Sequence, residues 1–359
     1  MLSDLIIINL KMNSLTTTMS LLNFNMHSGA SSTNVFRVKG EDAGFYSGAN
    51  FYSEKHGMII ACPSDNTVQF YNPTTLLPLQ GRKTLQLDGS VLQISHCPET
   101  DMILLTCQGG NIYSYDLSKH LLIKEQESNE RPRPRETANY LFHDPPSNAS
   151  SQIAFLNSAY YAFSSAQSDQ ISIGKFDDVL TTRIEQESAI TCLSKSEKGR
   201  FLLSGLADGS VRVHRTDQLP HLPIVCSAKD WKGAGDIVKV EEVVSKGKEY
   251  VIAAESNGTI RVWVLERGKM RLVRVIKTGD KIYWFVYLEK HQMIVTTHGK
   301  ECIKFWSFAS GKLKYTYYSD MIKSRDVFLM NGKNAVGIAD YRSNMIEVVP
   351  LLRVNEKVK

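Results

Sequence analysis

Short runs of alternating apolar and polar residues fill most of the chain, and one such pattern recurs seven times. Each copy has a β-branched residue, a polar residue and another apolar residue, often followed by an aromatic one, as in residues 210–214 and 259–263. Alternation with a period of two is typical of a β-strand that is buried on one face. The pattern predicts seven equivalent strands, each centred on an anchor residue: Val68, Ile112, Ile171, Val211, Ile260, Ile303 and Ile346.

The spacing of the anchors indicates the size of the repeating unit. The six intervals are 44, 59, 40, 49, 43 and 43 residues, and four of them lie near the period of about 40–45 residues of a propeller blade. Turn dipeptides such as Asp208-Gly209 and Asn257-Gly258 precede the copies, and such pairs favour tight hairpins. Second, third and fourth strand-like runs flank most copies. We therefore predict an all-β fold, a seven-bladed β-propeller, because stacking around an axis buries both faces of every sheet.

Three copies carry the pattern most fully, at residues 204–214, 253–263 and 297–306. They resemble the WD-repeat (WD40) family, and the resemblance extends over roughly residues 34–353. The family's Trp is present only as Trp263 and Trp306, its following Asp only as Asp116, and no Gly-His dipeptide occurs. The hydrogen-bonded Trp–Ser/Thr–His–Asp network of the family is therefore expected to be incomplete in every blade.

The resemblance also implies how the ring closes. WD-repeat propellers pair an N-terminal strand into the last blade, and residues 34–38 form a β-like segment ahead of the first complete blade. We expect this segment to be the fourth strand of the last blade, beside residues 346–349. The predicted organisation is a flexible N-terminal extension at 1–33, the propeller at 34–353 and a C-terminal tail at 354–359.

The interval of 59 residues predicts an insertion between blades two and three, at residues 127–151. The segment is rich in Pro and lacks strand alternation, which indicates a loop. It connects an outer strand to the next inner strand, so it lies on the same face as the Asp-Gly-type turns. In most WD-repeat proteins this face binds partners. Either the loop is simply solvated, or it contributes partner-binding residues: Arg131, Arg133, Arg135, Tyr140 and Phe142.

The interval of 49 residues predicts a second long loop on the same face, between blades four and five. It contains Trp231 and Lys232, and an exposed Trp beside a cation is a typical pair at the centre of an interface. The alternative is that Trp231 packs between the blades.

The composition narrows the class of protein. The 359 residues are 42% hydrophobic and 22% charged, as in ordinary globular proteins, and the net charge of +5 is too small to imply nucleic acid. Six scattered cysteines without a C-x-x-C pair indicate free thiols in a reducing compartment. We expect a cytoplasmic protein, with the nucleus as the alternative, and no membrane span.

No catalytic motif is found. Residues 233–238 lack the last glycine of a dinucleotide fingerprint, and no histidine is followed by Glu. The sequence therefore predicts no enzyme, no cofactor and no metal site.

The leading hypothesis is a non-catalytic protein-interaction scaffold, a subunit of a multiprotein assembly that binds other proteins through top-face loops. The alternative is a ribonucleoprotein or chromatin-associated subunit that contacts nucleic acid through the Arg-Pro segment. A ubiquitin-ligase substrate receptor is disfavoured, because Tyr115-Asp116 is followed by Leu117 and Ser118 rather than by the Arg that such receptors carry.

Overall fold

The computed structural model describes residues 34–38, 44–124, 152–164, 167–176, 178–196, 198–228, 235–298, 302–318, 324–330, 334–340 and 343–351. In these residues, 28 strands form seven four-stranded antiparallel sheets. The sheets are the blades of a propeller, which confirms the predicted all-β, seven-bladed fold.

Each of the first six blades uses four consecutive strands. Blades 1 and 2 contain β2 (Phe45–Ser53), β3 (Met58–Pro63), β4 (Thr67–Tyr71), β5 (Leu85–Gln86), β6 (Val91–Cys97), β7 (Met102–Cys107), β8 (Ile112–Asp116) and β9 (Leu121–Lys124). Blades 3 and 4 contain β10 (Gln152–Phe155), β11 (Tyr160–Ser164), β12 (Gln170–Lys175), β13 (Asp178–Glu185), β14 (Ile190–Lys195), β15 (Phe201–Leu206), β16 (Val211–Arg215) and β17 (Ile224–Ala228).

Blades 5 and 6 contain β18 (Ile237–Ser245), β19 (Lys248–Glu255), β20 (Thr259–Glu266), β21 (Lys269–Lys277), β22 (Ile282–Leu288), β23 (Met293–His298), β24 (Cys302–Ser307) and β25 (Leu313–Tyr318). Blade 7 combines β26 (Ser324–Met330), β27 (Ala335–Asp340) and β28 (Met345–Pro350) with β1 (Asn34–Arg37).

The hydrophobic core is divided among the seven interfaces between adjacent blades. The first strands of neighbouring blades contact one another and surround the central axis. Every residue of the second strands β3 and β27 is buried, since both faces of these strands are covered by neighbouring blades. In the outermost strands β21 and β25, by contrast, only one residue each is buried. Position along the radius therefore determines how apolar each strand is.

The first and last blades meet at a seam that has polar contacts at two distances from the central axis, one at the outer strands and one at the inner strands. On the outer side β1 pairs with β28, with Asn34 opposite Val348 and Arg37 opposite Met345. Beyond that ladder, the Val38 amide donates to the Asn344 carbonyl at 2.7 Å, and the Asn344 side-chain amide donates to the Val38 carbonyl at 2.6 Å.

On the inner side of the seam, the buried carboxylate of Asp326 on β26 accepts two hydrogen bonds from β2. The donors are the Gly48 amide and the Asn50 side chain, each at 2.9 Å. Burial raises the pKa of Asp326 to about 6, against the opposing effect of these two donors. Gly48 has φ of +82°, and a Cβ there would lie 2.9 Å from the Trp284 ring, so this close approach requires glycine.

Blade 6 contains most of a Trp-centred network that was expected to be incomplete. Trp306 Nε1 donates to Thr296 Oγ1 at 2.9 Å, and Thr296 Oγ1 lies 2.7 Å from His298 Nε2. His298 Nδ1 lies 3.2 Å from the Lys281 carbonyl, which assigns the proton to Nδ1. Burial lowers the pKa of His298 to about 4, so the ring is neutral and accepts from Thr296. This histidine lies at the end of β23 and is not part of a Gly-His dipeptide, so it could not be identified from that family motif.

Candidate functional site

The top face of the ring is defined here as the end that carries the turns between the second and third strands and the loops between blades. Both loops singled out from the sequence have their ends on this face. One leaves after Lys124 and returns at Gln152, and the other leaves after Ala228 and returns at Gly235. The candidate residues themselves lie outside the described residues, so their roles stay predictions: Arg131, Arg133, Arg135, Tyr140, Phe142, Trp231 and Lys232.

Blade 2 positions the strand that follows the long insertion. On β6, Gln93 Oε1 accepts a hydrogen bond from the Ile153 amide at 2.9 Å, and Ser95 Oγ accepts one from the Phe155 amide at 3.1 Å. Both acceptors are on the first strand of blade 2, and both donors are on the first strand of blade 3. The insertion therefore begins and ends on two blades whose relative position is fixed by these contacts.

A buried charge pair positions the end of the second loop. Glu255 is only 1% exposed and forms an ion pair with Arg261, which is 7% exposed. The other oxygen of Glu255 accepts from the Gly235 amide at 3.2 Å and from the Asn257 side chain at 3.0 Å. Removing one partner of a buried pair leaves an uncompensated charge. The loop that carries Trp231 and Lys232 thus returns to a rigid point.

Equivalent cations recur one residue after the anchor in blades 4, 5 and 6, and we refer to Arg212, Arg261 and Lys304 as the third-strand cations. Arg212 donates to Gln186 at 2.9 Å and lies 3.1 Å from Glu187. Lys304 donates to Asp280 at 2.6 Å and to the Thr278 carbonyl at 3.0 Å. Arg212 and Lys304 each fix the loop that leads into their own blade.

The third-strand cations could not be recognised as loop anchors from the sequence pattern, which predicts only a polar residue at that step of the repeat. The signal was present in the pairs Val211-Arg212, Ile260-Arg261 and Ile303-Lys304. A cation at a mostly buried step of a strand requires a partner, and the nearest polar segment in a propeller is the adjoining loop.

The described turns of the top face are rich in carboxylates. Asp88, Asp169, Glu187 and Asp208 are exposed there, and Lys281 is the cation that these described turns contribute. Asp208 also caps its own turn, since it accepts from the Ser210 amide at 3.0 Å. The described part of this face therefore presents negative charge, opposite in sign to the three arginines expected in the insertion.

A cluster on the opposite face contains residue types that also occur in hydrolases. Asp101, whose side chain is 6% exposed, accepts from Lys55 at 2.8 Å and from Ser118, and it lies 2.8 Å from His56 Nε2. These donors hold the pKa of Asp101 well below its usual range, against the effect of burial. The hydroxyl contacts the carboxylate and not the histidine, so the order required to activate a nucleophilic serine is absent here. The cluster joins turns of blades 1 and 2.

Two kinds of feature are absent from the described residues. They contain no group of three His, Cys, Asp or Glu side chains arranged to hold a metal ion. They also contain no helix with the length and apolarity that a bilayer crossing requires.

Comparison with known proteins places one repeat in a family. Residues 178–215 match the WD40 family model, described as WD domain, G-beta repeat. The matched segment begins with β13, the outermost strand of blade 3, and ends with β16, the third strand of blade 4. The sequence repeat is therefore offset from the blade by one strand and joins two neighbours. A comparison with curated protein sequences gives no significant match.

Solved structures show the same architecture. The chain is similar to the β-propeller domain of Cps50 (Swd1) from Myceliophteria thermophila, with a TM-score of 0.68 and 11% sequence identity. The match covers 88% of this chain and 98% of that chain. Since 1844 solved chains match, the architecture by itself does not select a function.

Proposed function

The chain is a WD-repeat β-propeller, and we propose that it acts as a non-catalytic protein-interaction scaffold, a subunit of a multiprotein assembly that binds partners through the loops of its top face. The observation that carries this proposal is the anchoring of the loop ends. Gln93 and Ser95 fix the strand after the insertion, and the ion pair of Glu255 with Arg261 fixes the return of the second loop.

Anchored loop ends matter because binding orders the groups at an interface, and each ordered side chain or loop residue reduces affinity. A loop whose ends are fixed by buried contacts loses less entropy when it meets a partner. The candidate side chains of the two loops include aromatic residues and arginines, which contribute most of the binding energy in typical protein interfaces. The rigid disc holds the two loops at separate points of one face, which suits a subunit with more than one neighbour.

A nucleic-acid-binding subunit is the second candidate, and the charges of the described top-face turns argue for protein over nucleic acid. The exposed carboxylates of Asp88, Asp169 and Asp208 would repel phosphates. A nucleic-acid contact would have to rely on the arginines at 131, 133 and 135 alone. Such a contact would weaken steeply between 50 and 200 mM salt, because phosphate binding releases counterions.

The test is affinity purification of the full chain and of two variants. In the first variant a short Gly-Ser linker replaces residues 127–151. In the control, Lys246→Glu and Lys290→Glu reverse two exposed charges in turns of the opposite face. We expect the loop variant to lose at least one co-purifying protein that the wild type and the control both retain. Identical sets of proteins from all three would contradict the proposal.

A nuclease treatment before elution separates the two candidates. Partners bound through protein contacts remain after the treatment, whereas partners bridged by nucleic acid are released. A partner lost both on deletion of the loop and on nuclease treatment would favour the nucleic-acid-binding subunit.

A further inference from the structure

Exposed apolar side chains are concentrated on one part of the rim. Six large apolar side chains of the described residues are more than 40% exposed, and five of them lie on the outermost strands of three consecutive blades. Ile224 is on β17, Val275 is on β21, and Leu313, Tyr315 and Tyr318 are on β25. We call this surface the outer rim of blades 4 to 6. Single exposed apolar residues are normal, but the occurrence of five of the six on consecutive outermost strands sets this side of the rim apart from the rest of the described surface.

The central strand of this rim, β21, has a free edge. With nine residues it is the longest outermost strand among the described residues. It is the terminal strand of its sheet and pairs with β20 along one edge, from Lys269 opposite Glu266 to Lys277 opposite Thr259. A register shift between Leu272 and Arg274 interrupts this ladder, so that Val275 and Lys277 lie on the other face of the sheet from Lys269 and Arg271. A long edge strand offers a row of backbone donors and acceptors that an extended peptide can pair with.

All the charged side chains of β21 are positive. Its sequence contains four cations and no carboxylate, and Lys269, Arg271 and Lys277 are exposed. No ion pair among the described residues involves these three side chains. Arg274 differs, since it donates to the Phe308 carbonyl and covers the Phe308 ring, and so belongs to the interface with blade 6. The three exposed cations are therefore available to a partner.

The adjacent outermost strand continues the same character. Lys314 on β25 is exposed, as are Leu313 and Tyr315 beside it, and β25 also has no carboxylate. Tyr315 packs at 5.8 Å against Phe305 and so presents a fixed aromatic surface. Apolar contacts combined with cations on neighbouring strands are suited to a peptide with both acidic and apolar side chains.

Two other occupants fit this edge less well. A second copy of the chain would bring the cations of one β21 against those of another, and facing like charges oppose pairing. A nucleic acid would neutralise the cations, but it would leave the backbone groups of the edge and the exposed Val275 without matching partners. An extended acidic segment satisfies the charge, the backbone and the apolar side chain together.

We propose that the free edge of β21 binds an extended acidic segment of a partner protein, which adds to blade 5 as a fifth strand. Its acidic side chains face Lys269 and Arg271 on one face of the sheet, and its alternate apolar side chains contact Val275 on the other face, where Lys277 also lies. This site is separate from the top-face loops and does not depend on the function proposed for them.

The experiment measures the fluorescence anisotropy of a labelled nine-residue peptide of alternating Glu and Val on titration with the full chain. A second peptide, Glu-Val-Glu-Pro-Glu-Pro-Glu-Val-Glu, has the same charge but cannot complete a strand ladder. The test variant is Lys269→Glu with Arg271→Glu, and the matched control is Lys246→Glu with Lys290→Glu, which reverses two exposed lysines on turns of blades 5 and 6. Single-stranded poly(U) is the nucleic-acid probe.

We expect the alternating peptide to bind the wild type and the control alike, and the test variant at least about tenfold more weakly, because reversed charges repel the acidic side chains. The proline-containing peptide should bind at least about tenfold more weakly than the alternating peptide, because the ladder hydrogen bonds are lost. The variant without residues 127–151 should bind the peptide like the wild type, so that failure of the top-face proposal leaves this one intact.

Three results would overturn the proposal. Equal binding of the two peptides would mean that charge alone attracts them and no strand is added. Equal binding of the peptide by the test variant and the control would place the contact elsewhere. Binding of poly(U) but not of the peptide, with loss in the test variant, would make the edge a nucleic-acid site.

Discussion

The seam between blades 7 and 1 and the interface between blades 2 and 3 join their blades in different ways. At the seam, 13 buried apolar side chains form one cluster, and polar contacts reinforce it at both the outer and the inner strands. Between blades 2 and 3 the cluster has five buried apolar side chains. Two side-chain hydrogen bonds, from the Ile153 and Phe155 amides to β6, supplement that smaller core.

The larger number of contacts at the seam follows from how the chain connects the two pairs of blades. Blades 2 and 3 follow one another in the chain, whereas the seam brings together residues as far apart as Val38 and Asn344, which are 306 positions apart. Closing so long a segment costs more chain entropy than closing a short one. The seam therefore requires more stabilising contacts, and the interface next to the insertion can be held by fewer. The smaller core lies where the insertion begins and ends.

Deletion of residues 34–38 should cause the largest loss of stability among the changes that test this comparison. It removes the ladder between β1 and β28 and the two contacts between Val38 and Asn344. We expect the free energy of unfolding to fall by about 5 kcal/mol, from several hydrogen bonds and the burial of Val38. Thermal unfolding followed by circular dichroism measures the change. Deletion of residues 29–33 is the matched control, and an equal effect of the two deletions would contradict the account of the seam.

Ionisation of Asp326 should cause the next largest change in the free energy of unfolding. Because burial raises the pKa of Asp326 to about 6, the folded protein binds a proton more tightly than the unfolded chain does. Stability from this group is therefore fully present at low pH and declines as the pH rises through the window from about 4 to 6, by about 3 kcal/mol in total.

The measurement is chemical denaturation of the wild type and of Asp326→Asn at several values between pH 4 and 7. The stability of the wild type relative to the variant should fall with rising pH. His214 and His298, whose pKa values burial lowers to about 4, titrate in both proteins and cancel in the difference. A difference that does not change with pH would show that Asp326 ionises as freely in the folded chain as in the unfolded one.

The smallest effect is expected between blades 2 and 3. Gln93→Ala removes the acceptor of the Ile153 amide and should cost about 1–2 kcal/mol, the usual penalty for a buried donor left without its partner. The exposed Gln86→Ala is the control and should change stability by less than about 0.5 kcal/mol. Equal effects of the two substitutions in urea denaturation would mean that Gln93 does not hold the blades together.

The fold was predictable because its signals are local. The seven anchors, the turn dipeptides and the apolar second strands lie within a few residues of one another, and each repeat supports the same interpretation. Most of the polar contacts were not predictable. Asp326 and Asn50 are 276 positions apart, and nothing near Asp326 in the sequence indicates that the two residues meet. In blade 6 the histidine of the family network is His298, which lies at the end of β23 and not in a Gly-His dipeptide. The absence of the dipeptide therefore did not predict the absence of the histidine.

The candidate site was predictable only in part, for a related reason. The long loops were visible as irregular intervals, and the ends of both lie on the predicted face. The residues that hold those ends, such as Glu255 and Arg261, belong to the strands and turns of the repeat and looked like ordinary variation within it. Their role depends on the angle between neighbouring blades, which the sequence of one repeat does not contain.

Closure of the ring by the chain's own N-terminal strand is most directly tested by disulfide cross-linking. Arg37 is directly opposite Met345 in the ladder between β1 and β28, and the Cα atoms of such pairs lie about 4.5–5.5 Å apart, within the range of a disulfide. Under mild oxidation, the full chain with Arg37→Cys and Met345→Cys should form an intramolecular disulfide and unfold at a higher temperature than its reduced form. The offset pair Val35→Cys and Met345→Cys should remain reduced. Equal cross-linking of the two pairs, or no cross-link in the first, would contradict the closed ring.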